Sequence, residues 1–162
     1  MKKTLKTLAV TVIAALTMSL TGCQKDADLI VGTWDVTSET ISWSISGLTG
    51  EYAEYNSDET ETVTPEAGYS QTMTFNKDNT CTITETDEGH TESMSGTYTV
   101  KDGKLTLTMD RDSQTYNIDN IDKKEMTLSY SESHTYAADD EENYFEQAYS
   151  ESFSITINMK KK

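Results

Sequence analysis

The sequence predicts an all-β fold, an antiparallel up-and-down β-barrel of about eight strands. Three observations carry this reading. Apolar and polar residues alternate with period two along most of the chain, the pattern of strands with one dry face. The residues after Cys23 include 22 threonines and a single proline, Pro65, and threonine with tyrosine, valine and isoleucine favours a pleated, half-buried surface. The runs are joined by short turn-rich segments, so neighbours in sequence pair as hairpins. An antiparallel sheet with one dry face closes on itself or finds a cover; a sandwich is the alternative.

The elements follow in order. Trp34 and Val36 share a face, as do Ile41, Trp43 and Ile45. The phase slips between Val36 and Ile41, which predicts a bulge. Met73 and Phe75 point one way between threonines, Asn76-Lys77-Asp78-Asn79 turns the chain, and Cys81 and Ile83 return between Thr80, Thr82 and Thr84. Gly96-Thr97-Tyr98-Thr99-Val100 runs into Lys101-Asp102-Gly103-Lys104, where Asp-Gly is a strong hairpin signal, and Leu105, Leu107 and Met109 come back. Tyr116 and Ile118 form the next strand, residues 119–125 turn it, and Met126, Leu128 and Tyr130 follow. Phe153, Ile155, Ile157 and Met159 make the last. Two acidic stretches, 47–69 and 137–151, do not fit this meander. They sit at the barrel mouth as lids or on the surface as insertions. Asp139 with Glu142 has capping-box spacing, and Tyr144, Phe145, Ala148 and Tyr149 fall at helical spacing. A short helix near 139–149 is expected there, with an extended strand edge as the alternative.

The N-terminus carries an address. Lys2, Lys3 and Lys6 precede an uncharged stretch from Leu8 to Leu20 and a small-residue end, Thr21-Gly22. This is the order of a secretory signal, and the stretch is too short for a spanning helix, which needs about 20 residues. Leu20-Thr21-Gly22-Cys23 resembles the lipobox of bacterial lipoproteins, in which the cysteine is acylated, with palmitate-type chains, and the preceding peptide removed. The chain is therefore expected to divide into a signal peptide (1–22), a lipidated N-terminus and tether (23–28) and one barrel domain (29–162). Gln24 follows the cysteine where aspartate favours inner-membrane retention, so the expected location is the outer membrane, on its periplasmic or surface face. Gln24-Lys25-Asp26-Ala27-Asp28 is either a plain tether or similar to the surface-export signals of Bacteroidota lipoproteins.

Charge and missing motifs exclude several classes. The net charge is −15, and loss of the three signal lysines takes it to −18. Such a surface repels phosphate backbones, so no nucleic-acid partner is expected. With Cys23 acylated, Cys81 has no intrachain partner; its apolar position predicts a buried, inert thiol. There is no Gly-rich phosphate loop, no nucleophile elbow around a serine, and no zinc spacing around His90 or His134. Asn117-Ile118-Asp119-Asn120-Ile121-Asp122 lacks the glycine and ligand spacing of a calcium loop. No catalytic residue, metal or cofactor is expected, and the chain reads as a non-enzyme.

Val31-Gly32-Thr33-Trp34 carries the Gly-x-Trp that opens lipocalin-like barrels. Met73-Thr74-Phe75-Asn76-Lys77-Asp78-Asn79-Thr80 is similar to a hairpin of small lipocalin-like lipoproteins in Bacteroidota. Gly96–Val100, Leu105-Thr106-Leu107, Tyr116-Asn117-Ile118 and Met126-Thr127-Leu128 continue that order, so the resemblance spans roughly residues 29–130. It implies an eight-stranded barrel with Trp34 packed across the closed end and Gly32 and Trp34 as structural residues. The lipocalin arginine that covers this tryptophan from the last strand has no match; the chain ends in Lys160-Lys161-Lys162, and its one arginine is Arg111.

Two functions are expected. One is a monomeric, lipid-anchored binding module for a small apolar or amphipathic ligand. The candidate interior set is Trp43, Ile45, Met73, Phe75, Tyr98, Leu107, Tyr130 and Ile155. The other is an envelope interaction protein with a filled barrel, meeting a protein or glycan through acidic loops 47–69 and 131–151 and their tyrosines, Tyr52, Tyr55, Tyr69, Tyr136, Tyr144 and Tyr149.

Overall fold

The computed structural model describes residues 25–162. The signal segment and Cys23 lie outside the described residues. Nine strands form one antiparallel sheet: β1 (Gly32–Ser46), β2 (Ser57–Val63), β3 (Tyr69–Phe75), β4 (Thr80–Asp87), β5 (His90–Lys101), β6 (Lys104–Met109), β7 (Asp112–Ile121), β8 (Glu125–Tyr136) and β9 (Tyr149–Lys161). Their order is β2-β1-β3-β4-β5-β6-β7-β8-β9, and β1 also pairs with β9. That last pairing closes β1 and β3–β9 into an eight-stranded barrel.

β1 explains the extra strand. Gly32–Asp35 pairs with β3, but Glu39–Ile45 pairs with β2 on the same side. The wall is therefore seamed between β2 and β3. Residues 57–63 lie in the acidic stretch 47–69 that does not fit the meander by its sequence. Every side chain from Asp58 to Val63 is exposed, so β2 has no dry face to imprint period two on its sequence. The register of β1 against β9 shifts between Val36 and Ser38, where the slip in phase predicts a bulge.

The turns match their chemistry. Asp102 and Gly103 both have positive φ, 53° and 70°, as a two-residue hairpin turn requires. Asp78 accepts bonds from the Thr80 backbone N–H and hydroxyl (3.1 and 2.6 Å). These bonds hold its carboxyl below the usual range. On the outer face, threonine and serine pair across strands, as in Thr84–Ser93 and Thr106–Thr115 (3.0 and 2.8 Å). Such pairs each add a few tenths to about 1 kcal/mol.

The helix expected near 139–149 does not form; residues 137–148 are turns and bends. Polar side chains there bind nearby backbone in competition with a helix ladder. Asp140 Oδ2 accepts from Ala137 N–H, and Asn143 Nδ2 donates to the carbonyls of Ala137 and Gln147. Glu146 takes φ +54°. At the N-terminal side, residues 25–30 are helical, and Ile30 is fully buried in the barrel core.

The core fills the end of the barrel where that helix enters. Trp34, Phe75, Leu105, Met126, Leu128 and Met159 are buried there with Cys81. Trp34 Nε1 donates to the Ile30 carbonyl at 2.7 Å. Lys161 lies with Nζ 4.8 Å from the Trp34 ring and donates to the Leu29 carbonyl at 2.9 Å. The cover that lipocalins take from an arginine is thus supplied by a lysine. Gly32 (φ +136°) makes room for it: a Cβ there would lie 2.6 Å from Lys161 Cε.

Candidate functional site

Strand register assigns the inner face. Trp34 and Val36 point inward, and past the bulge Glu39, Ile41, Trp43 and Ile45 stand opposite Ile157, Ile155, Phe153 and Glu151. On β8, Met126, Leu128, Tyr130, Glu132, His134 and Tyr136 continue the same face. The interior therefore changes character along the barrel axis. Its closed end is apolar; its open end carries carboxylates and aromatic rings.

The eight candidate interior residues divide accordingly. Met73, Phe75, Tyr98 and Leu107 are buried in the packed core. Phe75 and Tyr98 meet edge to face at 5.0 Å, and the Tyr98 hydroxyl donates to the Asn76 carbonyl at 2.8 Å. They form a floor rather than a free lining. Ile155 and Tyr130 are half-buried at mid-depth, Ile155 packed on the core. Trp43 and Ile45 lie at the open end, where Trp43 is 51% exposed. The structural pair Gly32 and Trp34 sits at the closed end as described.

A cavity of about 530 Å³ opens there between β1, β9 and β8. Its inward side chains are Trp43, Ile45, Glu132, His134, Tyr136, Glu151 and Phe153. Small-molecule sites fall in this size range. The Tyr130 hydroxyl bonds Glu132. Tyr136 is raised mainly by burial, then by the Glu151 charge; it is a neutral donor at physiological pH.

A second cavity of about 360 Å³ lies at the seam, lined by Val36, Glu39, Pro65, Tyr69, Gln71 and Asp87 among others. Burial, then the Glu85 charge, lifts the Glu39 carboxyl above its ordinary value. Tyr69 is pushed up to about 12, first by its hydrogen bond to Glu85. Tyr116, on the opposite wall, is raised by burial and then by Glu39. Glu39, Glu85, Tyr69 and Tyr116 thus share the mid-barrel space.

Sequence reasoning missed Glu39, Glu132, His134, Tyr136 and Glu151 as lining residues. The signal was there: the inward phase of Met126-x-Leu128-x-Tyr130 continues through Glu132, His134 and Tyr136. His90 and His134 stand on different strands, and no metal-holding group of histidine, cysteine and carboxylates occurs among the described residues.

The loops rim this mouth. Tyr52 and Tyr55 of the 3-10 helix Gly50–Tyr55 pack on Phe145, each at 5.5 Å. Phe145 meets Tyr149, and Tyr149 stacks on Tyr136 at 4.7 Å. Thr49 N–H and hydroxyl donate to Gln147 Oε1, joining the two loops.

The family model described as a lipocalin-like domain matches residues 30–128. Among solved structures, a lipocalin-like protein from Bacteroides uniformis ATCC 8492 aligns at 11% identity, over 82% of this chain and 97% of that one, with TM-score 0.45. An uncharacterized protein from Bacteroides eggerthii DSM 20697 aligns at 14% identity, over 82% and 99%, with TM-score 0.46. No curated protein matches the chain.

Proposed function

The chain belongs to the lipocalin-like domain family, and from that premise we propose that it is a lipid-anchored cell-envelope lipoprotein whose barrel binds a small, partly apolar molecule at its open end. The observation that carries this reading is the pair Trp43 and Phe153. Both face the barrel interior, yet they are 51% and 36% exposed, at a cavity of about 530 Å³. Apolar rings left open to water on a concave surface gain from being covered, at roughly 25 cal/mol per Å². The domain acts by binding and not by catalysis.

The anchor fits the same picture. Residues 25–30 leave from the closed end, so a lipid on Cys23 holds that end to the bilayer and leaves the cavity facing away. Lys77, Lys101, Lys104, Lys123, Lys124 and Lys160–Lys162 all lie at the closed-end turns or the C-terminus beside them. The alternative, a filled barrel contacting a protein or glycan through its tyrosines, has less to stand on. Tyr149 is buried, Tyr52 and Tyr55 pack on Phe145, and only Tyr144 is fully open, at 88%.

Two measurements test the proposal. Cells fed an alkyne-tagged fatty acid should label the full chain and not its Cys23→Ala variant; no label on the parent chain removes the envelope reading. Native mass spectrometry of protein taken from membranes should show a co-purifying mass that Trp43→Ala loses. An unliganded spectrum, with no response of Trp43 fluorescence to small apolar probes, removes the binding reading.

A further inference from the structure

We infer that the open-end cavity selects an organic cation: an amine carried on an aryl or alkyl body. This rests on the ligand-binding reading above and adds the charge of the ligand to it. The inference comes from how the lining is arranged. Trp43, Phe153 and Glu132 stand side by side across β1, β9 and β8 in one row of the register. Ile45, Glu151 and His134 form the next row toward the rim. Rows two residues apart are separated by about 7 Å. Each carboxylate therefore sits beside an apolar or aromatic surface, within reach of one small bound molecule.

The one basic side chain of the protein's own here is the His134 imidazole, beside Glu151. No lysine or arginine lines the cavity; the lysines from Lys77 onward are gathered at the opposite end. Glu132 receives the Tyr130 hydroxyl, and burial, then the Glu151 charge, raises the Tyr136 and Tyr149 hydroxyls. These hydroxyls are neutral, so they bring no positive charge to either carboxylate. A bound ammonium would gain from both, and from the ring faces of Trp43 and Phe153 by cation–π attraction. A carboxylate ligand such as a fatty acid would instead face two like charges in a chain whose surface field is already negative.

The test uses three probes of one shape, phenethylamine, phenethyl alcohol and phenylacetate. Each is titrated against the full lipidated protein in zwitterionic nanodiscs, with empty nanodiscs as blank and Trp43 fluorescence and calorimetry as readouts. The amine should bind about tenfold tighter than the alcohol, with phenylacetate weakest. In Glu132→Gln/Glu151→Gln, the amine should fall to the alcohol's affinity while the alcohol is unchanged. Asp139→Asn/Glu141→Gln, on the exposed rim loop, should leave the preference intact. An alcohol or phenylacetate that binds as tightly as the amine overturns the cation reading and leaves ligand binding standing. Equal loss of preference in the rim variant also overturns it, assigning the effect to diffuse charge. Should none of the three bind, and the native spectrum be empty, both readings fall together.

Discussion

At the residue scale, Lys161 binds three parts of the closed end together. Its ammonium covers Trp34 and caps the Leu29 carbonyl, and its stem crosses Gly32. Its own N–H donates to the Lys124 carbonyl at 2.8 Å. The Gly-x-Trp pair thus has a physical reason: the glycine clears a path for the cation that the tryptophan receives. Lys161→Ala should cost about 1–2 kcal/mol, from one cation–π contact and one hydrogen bond to a charged group. Denaturant unfolding measures this, and a change in the buried Trp34 emission should accompany it. Lys161→Arg should retain most of the stability. An alanine variant as stable as the parent would remove the clamp from this account.

At the element scale, β5 and β6 approach unusually closely. Gly96 stands opposite Cys81 on one side and Met109 on the other. A Cβ at Gly96 would fall on the Thr108 carbonyl oxygen and within 2.6 Å of Met109 Sδ. The sulfur can swing aside, but the carbonyl belongs to the ladder itself. Gly96→Ala should therefore destabilise by about 1–3 kcal/mol, the range for overpacking a filled interior. Gly89→Ala, where nothing lies within 4 Å of the added atom, should lose less and for a different reason, its φ of +88°. Thermal melts of the two variants would separate steric from conformational cost.

At the scale of the whole molecule, the barrel keeps carboxylates inside its open half and gathers its lysines from Lys77 onward at its closed end. Glu39 is the clearest consequence. Burial and Glu85 raise its pKa, so the folded chain holds that proton to higher pH than the unfolded chain does. Its favourable contribution is complete below the unfolded value and is lost as pH rises through the folded one. Glu39→Gln should match the parent's melting temperature near pH 4, about the ordinary carboxylate range, and exceed it at neutral pH. Melting curves across that range check the sign; a variant less stable at neutral pH would show Glu39 acting as an ion-pair or hydrogen-bond partner instead.

The sequence by itself determined the local pattern and the class of fold. Alternation in β3–β9 marked one dry face, Asp102-Gly103 marked a turn, and the slip after Val36 marked a bulge, because each is set by neighbours two to four residues apart. It also picked out the residues that fill the closed end, since apolar side chains at inward positions have little else to do than pack. Tertiary structure alone decided the rest. β2 exists because β1 offers it an edge, not because Ser57–Val63 has a strand's dry face. Residues 139–149 turn instead of coiling: Asp140 and Asn143 bind nearby backbone, and Phe145 packs across the mouth on Tyr52, Tyr55 and Tyr149. The acids Glu39, Glu132 and Glu151 became lining when closure of β1 on β9 fixed which way their strands face. In an acidic chain a glutamate at an inward position reads like any other glutamate until the register over a hundred residues away assigns its side.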